Sequence, residues 1–232
     1  MINICKPISD NPNLDYCEGG WLVPGGWIFC EHENSARCPA IKGENLAQLK
    51  REHLKKAGFG EKYQTPIEAR LFDCRAEAQN AIDGIKDFWN NITTHMKRGE
   101  GYLLCGTVGT GKTFALALTA LKAYWPQDKV KHIHAPALFD LLHTNKDVEE
   151  YRECDLLLLD DMGAAYSTPW NASQFNSFFE YRYANLLSTC ITSNQSVKEL
   201  SQDKLFERVI DRWRDTCGEH VYGVAFPSLR GG

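Results

Sequence analysis

Eight consecutive residues have the spacing of a phosphate-binding loop, and they stand between a short apolar run and an amphipathic stretch. In chain order they are Gly106, Thr107, Val108, Gly109, Thr110, Gly111, Lys112 and Thr113. Together they complete the pattern G-x-x-x-x-G-K-[ST], in which glycines let successive backbone N–H groups point at phosphate oxygens. Lys112 would reach the β- and γ-phosphates, and the Thr113 hydroxyl would ligate Mg²⁺. The pattern therefore predicts a site for ATP and Mg²⁺.

Two adjacent carboxylates follow a run of four leucines at 156–159. The carboxyl end of a buried strand is where a helix-flanked sheet opens toward its ligand, so these acids are expected to emerge there. Asp160 is expected on the metal side, and Asp161 is placed to polarise the attacking water. Burying two neighbouring acids without a cation would be costly, which favours this interpretation over a solvated turn.

Later polar groups could complete such a site. Asn194 ends another apolar run, where a neutral amide could bond the γ-phosphate or the water, although Ser-Asn-Gln-Ser is also good turn or helix-cap chemistry. Arg208 and Arg212 lie four residues apart on one predicted helical face. They are either ordinary surface charge or a cation delivered to the γ-phosphate of a neighbouring subunit. Arg230 is a further late cation.

The amino-terminal part of the chain is rich in Gly, Pro, Cys and Trp, and it contains four soft ligands within 22 residues: Cys17, Cys30, His32 and Cys38. Four such ligands could close a tetrahedral Zn²⁺ site that holds together a segment too small to bury its own core. The intervals are unusual and Cys5 is a competing ligand, so isolated thiols stay as the alternative. Most of the nine cysteines are expected to be buried thiols.

Short apolar runs alternate with helical stretches from Gly101 onward, which is typical of a parallel sheet with crossover helices. Strands are predicted at 102–105, 130–134, 156–159, 189–192 and 220–225. Helices are predicted at 112–124, 136–151, 171–187 and 203–215, with one or two more between 65 and 96. Continuous apolar strands imply burial on both faces, so the expected fold class is α/β with helices on each side of the sheet.

Composition excludes several classes of protein. With 232 residues and 43% hydrophobic content the chain can bury a core, and charges or glycines interrupt every apolar stretch well short of a membrane span. A soluble, cytoplasmic protein without a membrane partner is expected. The net charge is −4, so contact with nucleic acid would need a local basic patch. The best candidate comprises Lys129, Lys131, His132, His134, Lys146 and Arg152.

The order and spacing of these motifs over residues 65–230 resemble the bacterial DnaC/DnaI helicase-loader and IstB transposition-helper family of AAA+ ATPases. The segments that carry the resemblance are 106–113, Leu-Leu-Leu-Leu-Asp-Asp-Met-Gly at 156–163, Tyr-Arg-Tyr at 181–183, Ile-Thr-Ser-Asn at 191–194, Arg-Val-Ile-Asp-Arg at 208–212 and Ser-Leu-Arg at 228–230. The resemblance implies a three-layer P-loop NTPase (AAA+) core. Only 38 residues follow Asn194, too few for a full lid domain, an abbreviation that loaders share.

The resemblance also implies roles for single residues. Asp160 would bind Mg²⁺, Asp161 would take the place of the catalytic acid, and Asn194 would sense the γ-phosphate. Arg212 would be the arginine finger acting on the next subunit, with Arg208 as the alternative. Arg230 would be the second sensor.

The expected organisation is a helicase-docking segment at 1–63, with or without zinc, and an AAA+ ATPase domain at 64–232. The leading hypothesis is an ATP-dependent loader that binds a replicative helicase hexamer and single-stranded DNA and self-associates through its ATP sites. One alternative is an IstB-type transposition helper, which would act on duplex DNA with a transposase. Another is an interaction module that binds ATP without hydrolysing it.

Overall fold

A computed structural model describes residues 43–64, 79–123, 129–144, 146–163, 169–203, 206–217 and 220–224 of the chain. Five strands form one parallel sheet: β1 (Leu103–Gly106), β2 (Val130–His134), β3 (Leu156–Met162), β4 (Ser188–Ser193) and β5 (Val221–Val224). Their order across the sheet is β2-β3-β4-β1-β5, so β1 and β4 lie inside it and the carboxyl ends of all strands meet at one edge.

Helices surround this sheet within the described ranges. They are α1 (Gly43–Ala57), α2 (Gln79–Asn90), α3 (Ile92–Lys97), α4 (Lys112–Lys122), α5 (Ala135–Thr144), α6 (Glu149–Arg152), α7 (Pro169–Ala184), α8 (Val197–Gln202) and α9 (Glu207–Cys217). A 3₁₀ turn at Glu61–Tyr63 follows α1. Among these residues, none of the helices combines the length and the apolar character that crossing a bilayer requires.

Each face of the sheet packs against its own set of helices. Leu156 and Leu158 face the core formed with α1, α2 and α4, whereas Leu157 and Leu159 face the core formed with α5, α7 and α9. All four leucines are completely buried, as the alternation of side chains along a strand flanked by helices requires. The predicted α/β three-layer fold is therefore confirmed.

The structure differs from the predicted elements in detail. The helix predicted at 136–151 is two helices, α5 and α6, and Asp147 between them has a positive φ of 53° that a continuous helix does not allow. The last predicted helix begins later, at Glu207, and α8 precedes it. A capping box between Ser196 and Glu199 begins α8, so the residues after Asn194 also form the helix cap that the sequence allowed as an alternative. The predicted burial of thiols is borne out at Cys105, Cys154 and Cys190.

Helix α1 packs directly on α4. Leu54, Ala57 and Phe59 are each at most 3% exposed and share the core with the apolar residues of α4. His53 Nε2 lies 2.8 Å from the carbonyl oxygen of Ala120 in α4. The predicted boundary assigns residues 53–59 to the amino-terminal segment, but Leu54, Ala57 and Phe59 belong to the core of the sheet.

Candidate nucleotide-binding site

The phosphate-binding motif forms the turn between β1 and the amino end of α4, and its glycines have specific physical roles. A Cβ at Gly106 would lie 1.9 Å from the carbonyl oxygen of Val224 in the neighbouring strand β5, so only glycine fits. Gly109 and Gly111 have φ values of 84° and 87°, in the left-handed region that favours glycine. The loop is thus curled, and Gly111 stands as N-cap of α4.

Lys112 turns back into this loop. Its Nζ donates to the carbonyl oxygens of Gly106 and Thr107 at 2.8 and 2.7 Å, and to Oδ1 of Asn194 at 2.8 Å. The Thr110 hydroxyl also donates to the Thr107 carbonyl, at 2.9 Å. Lys112 is only 8% exposed, so the chain directs a buried ammonium group to the centre of the curl.

Asp160 lies beside the loop, near the carboxyl end of the interior strand β3. Its Oδ2 accepts a hydrogen bond from the Thr113 hydroxyl at 2.9 Å, and its Oδ1 accepts one from the Thr192 hydroxyl. Burial alone would raise the pKa of this carboxyl, but the polar side chains of His132, Thr192 and Thr113 outweigh burial and hold the pKa below its usual value. An ionised carboxylate next to a hydroxyl is a ligand pair that fits Mg²⁺.

Asp161 and Asn194 form a second polar pair at the same edge. Asn194 Nδ2 donates to Asp161 Oδ1 at 2.5 Å while its Oδ1 accepts from Lys112, so the amide joins the loop to the acid. Asp161 has a φ of 60°, and the pairing of β3 with β4 shifts register between Leu159 and Met162. Such a backbone conformation costs about 1–3 kcal/mol, and here it turns the Asp161 carboxylate toward Asn194.

Sequence reasoning missed the role of Thr192. Its hydroxyl bonds Asp160 and also accepts from the backbone N–H of Asp161 at 3.0 Å, so it positions both acids. The available signal was its place in β4 directly before Ser193 and Asn194, but only the pairing of β3 with β4 reveals which acids it meets.

Arg212 is not brought to the loop within one chain. It lies on α9, on the opposite face of the sheet from α4, where Nη2 is 3.0 Å from Oε2 of Glu180 and the guanidinium lies 5.1 Å from the ring centre of Tyr183. An open groove of about 1240 Å³ lies between α7 and α9, and both Arg208 and Arg212 line it. Arg230 and the candidate zinc ligands Cys17, Cys30, His32 and Cys38 lie outside the described residues.

The residues of the predicted basic patch differ in their surroundings. His132 is buried, and Lys131 Nζ lies 2.5 Å from Oε2 of Glu150. Arg152 is likewise paired, with Nη2 2.6 Å from Oε2 of Glu149. Lys129, His134 and Lys146 are exposed, so part of the patch is accessible and its contact with nucleic acid stays a prediction.

No protein-family model matches the sequence, and no curated protein matches it. Solved structures do match. The structure of the DnaC helicase loader is 25% identical with a TM-score of 0.55, covering 70% of this chain and 99% of that chain. A DnaI structure is 22% identical with a TM-score of 0.58, covering 77% of this chain and 100% of that chain.

A third similar structure is the replication initiator DnaA bound to AMPPCP and single-stranded DNA. It is 20% identical with a TM-score of 0.56, covering 73% of this chain and 52% of that chain. At these identities the DnaI and DnaA structures bear on the fold alone. The chain has an α/β three-layer core that is similar to the DnaC helicase loader, so the resemblance inferred from the motifs is confirmed.

Proposed function

We propose that this chain is an ATP-dependent loader of a replicative DNA helicase that acts on single-stranded DNA during replication initiation. The observation that carries the proposal is the meeting of three groups at one sheet edge: Lys112 inside a glycine-rich curl, the Thr113–Asp160 pair and the Asn194–Asp161 pair. This arrangement stands on a core similar to that of the DnaC helicase loader. The choice of single-stranded DNA follows from the resemblance of the motifs to helicase loaders and is part of the proposal.

The site residues would act as follows. The loop N–H groups and Lys112 Nζ bind the phosphates, and Lys112 exchanges its carbonyl partners for phosphate oxygens. Thr113 and Asp160 would hold Mg²⁺, which when bound neutralises charge on the phosphates. Asp161 accepts a hydrogen bond from the attacking water and orients it toward the γ-phosphate. Asn194 contacts both Lys112 and Asp161, so it is suited to report whether a γ-phosphate stands between them.

Arg212 would complete the site of a neighbouring copy. Its present partner, Glu180, is exposed, and exposed pairs contribute only about 0–1 kcal/mol, so assembly can exchange Glu180 for a phosphate at small cost. An arginine supplied in this way is worth roughly 10³ to 10⁵ in rate in other NTPases. The γ-phosphate would then link two copies, and nucleotide state would set assembly. Arg230 is proposed as the second sensor.

The amino-terminal residues 1–63 are proposed to dock on the helicase hexamer, with Zn²⁺ on Cys17, Cys30, His32 and Cys38 as part of that proposal. The test is recovery of partners by the full chain. Retention of a replicative helicase and preference for single strands support loading. Retention of a transposase and preference for duplex DNA would instead favour the IstB-type helper.

Catalysis in trans is tested by mixing two inactive variants. Lys112→Ala should fail to bind ATP but still offer Arg212, and Arg212→Ala should bind ATP but lack the finger. Each alone should release little phosphate, and an equal mixture should recover activity because one type of junction is complete. The matched control is a mixture of Lys112→Ala with Asp161→Asn. Both variants keep Arg212, but neither has a complete ATP site, so this mixture should stay inactive. If the wild-type chain releases no phosphate with DNA and helicase present, the protein is a non-hydrolysing module.

A further inference from the structure

Two histidines of β2 converge on the Asp160 carboxylate. Strand pairing sets His134 beside Asp160, and His132, two residues earlier, has its side chain on the same face of the sheet. His132 Nε2 lies 3.7 Å and His134 Nδ1 lies 3.5 Å from Asp160 Oδ2. One nitrogen from each ring and one carboxylate oxygen all lie within 4.8 Å of one another.

The His132 ring is held in place by residues that follow α1. Phe59 stacks on it with ring centres 4.0 Å apart and planes inclined by 17°, and the Gly58 carbonyl lies 3.4 Å from Nδ1. In the tautomer with its proton on Nδ1, the ring could donate toward the Gly58 carbonyl and would present the Nε2 lone pair to a metal. A backbone carbonyl behind the ring is also the usual outer partner of a metal-binding histidine.

His132 Nε2 is a buried polar atom without a hydrogen-bond partner among the residues that the structure describes. The side chain is 4% exposed, so water does not reach it freely. The nitrogen faces a carboxylate oxygen at a distance beyond the range of about 2.7–3.2 Å for a hydrogen bond. With the proton on Nδ1, a lone pair and an anionic oxygen would face each other in a buried place, an arrangement that a cation between them would stabilise.

We propose that His132 Nε2, His134 Nδ1 and Asp160 Oδ2 bind a divalent transition-metal ion of the Zn²⁺ and Co²⁺ class. Tetrahedral coordination with bonds of about 2.0–2.1 Å sets ligand atoms roughly 3.4 Å apart, close to the separations of 3.5 and 3.7 Å observed here. Two imidazoles and one carboxylate suit this class, whereas Mg²⁺ prefers oxygen ligands. The half-exposed His134 leaves the site open to solvent on one side.

A metal ion at this position would compete with Mg²⁺, because both would use Asp160 Oδ2, the oxygen that the Thr113 hydroxyl contacts. Occupancy by the histidine-bound metal therefore weakens the binding of Mg²⁺-ATP, and by linkage Mg²⁺-ATP weakens the binding of that metal to the same degree. This consequence rests on the proposed function, whereas metal binding by the three side chains does not.

The direct test is Co²⁺ binding by the full chain without nucleotide, measured by equilibrium dialysis and visible absorption. His134→Gln should bind one equivalent fewer than the wild type in the range where the wild type saturates. His143→Gln, an exposed histidine on α5 outside the cluster, is the control and should bind the wild-type amount. Co²⁺ bound by cysteines elsewhere adds to the total uptake of both proteins but not to the difference between them. Co²⁺ bound by two histidines and an aspartate also lacks the sulfur-to-cobalt charge-transfer absorption of a cysteine site. Equal uptake by wild type and His134→Gln overturns the inference.

A second measurement separates this inference from the proposed function. Adding Mg²⁺ with a non-hydrolysable ATP analogue should release the His134-dependent Co²⁺ equivalent from the wild type. If that equivalent is present but the analogue does not bind, the metal site stands and the ATPase proposal fails. If the analogue binds and no Co²⁺ equivalent depends on His134, the metal inference fails alone.

Discussion

Lys112 is the side chain on which the candidate site depends most directly. It carries a charge into a place that is only 8% exposed to solvent, with three oxygen acceptors around it. Those acceptors offset the cost of burial, but they are neutral and weaker partners than phosphate oxygens. The arrangement keeps the ammonium group oriented for an anion.

Replacing Lys112 with Met tests this role. Hydrogen bonds to charged groups contribute about 1.5–3 kcal/mol, so affinity for a fluorescent ATP analogue should fall roughly 10- to 100-fold or more. Met removes a buried charge but also leaves three oxygen acceptors without their donor, so the free energy of unfolding is measured beside the affinity to separate a loss of binding from a loss of folding. Lys122→Met, at the other end of α4, is the control and should bind the analogue normally. An undiminished affinity in Lys112→Met would contradict the assignment of the loop.

His53 gives the molecule a dependence of stability on pH. Burial lowers the pKa of His53 to about 4, although the hydrogen bond with the Ala120 carbonyl acts in the opposite direction and Lys56 adds to the lowering. Because the folded state resists protonation, the stabilisation is complete above the unfolded pKa of about 6.5 and is lost as the pH falls toward 4. Between pH 7 and 4.5 the free energy of unfolding should fall by about 2–3 kcal/mol from this group.

His53→Gln removes the titration and keeps a group that can donate to the Ala120 carbonyl. Urea unfolding at the two pH values should therefore give a smaller difference for the variant than for the wild type. Taking the difference between variant and wild type removes the contribution that the acidic groups, including Asp160, make to the pH dependence of both proteins. Parallel pH curves for the two proteins would show that His53 titrates normally in the folded state.

The site residues that the sequence could predict are those that a contiguous motif defines. The spacing of positions 106–113 is enough to predict a phosphate-binding loop. The two acids after four leucines are predicted as site residues because they directly follow an apolar strand. Thr192 and His132 could not be recognised, because their contact with Asp160 depends on which strands become neighbours and in what register. Sequence spacing does not contain that information for residues about 30 positions apart.

At the scale of elements, Arg182 links the amino end of β4 to the segment that leads from α6 into β3. Its guanidinium is 1% exposed and donates to the carbonyl oxygens of Tyr151, Arg152, Cys154 and Ser188 and to the Thr189 hydroxyl. Burial lowers the pKa of this guanidinium, and contacts with Cys154 and Asp155 offset part of the effect. Arg182 within the Tyr-Arg-Tyr sequence at 181–183 is thus explained by the fold and not by the chemistry at the opposite edge of the sheet.

Arg182→Ala should destabilise the protein by about 3 kcal/mol or more, because several buried carbonyl groups lose their donor at once. Arg182→Lys should recover only part of this loss, since an ammonium group cannot reproduce the planar set of five donors. Arg214→Ala, an exposed arginine on α9, should change the unfolding free energy by less than about 0.5 kcal/mol. A near-neutral Arg182→Ala would mean that the buried network is not important for stability.

The boundaries of elements were predictable where apolar runs are continuous, and β2 agrees with its prediction residue for residue. They were less predictable where a backbone irregularity intervenes. The positive φ of Asp147 divides one predicted helix, and the irregular pairing near Asp161 lets β3 continue to Met162, beyond the expected end at Leu159. Side-chain periodicity does not reveal either conformation, since aspartate occurs in regular elements as well as in turns.

At the scale of the whole molecule, the sheet separates the phosphate-binding loop from the helix that carries Arg212. Helix α4 belongs to one apolar core and α9 to the other, so the two helices lie on opposite faces of the sheet within one copy. The separation is a property of the topology and needs no special residue. It favours function in an assembly of copies, as the mixing experiment with Lys112→Ala and Arg212→Ala tests.

The extent of the folded unit leads to a prediction about truncation. A chain that begins at residue 43 keeps the packing of α1 on α4, whereas one that begins at residue 64 loses it. Burial of Leu54 and Phe59 contributes about 1.5–3 kcal/mol each, so the shorter chain should be less stable by roughly 3–6 kcal/mol. Thermal and urea unfolding of both chains measure the difference. Equal stability would show that the contacts of residues 53–59 contribute little.

The contact of Phe59 with His132 gives the amino-terminal part of the chain a mechanical connection to the nucleotide-binding edge. The path has two steps, from the Phe59 ring to His132 and from His132 to the Asp160 carboxylate. If the proposed docking of residues 1–63 and the proposed metal site are both right, a shift of Phe59 on docking would move the His132 ring relative to Asp160. Partner binding and metal binding would then be coupled through these two rings.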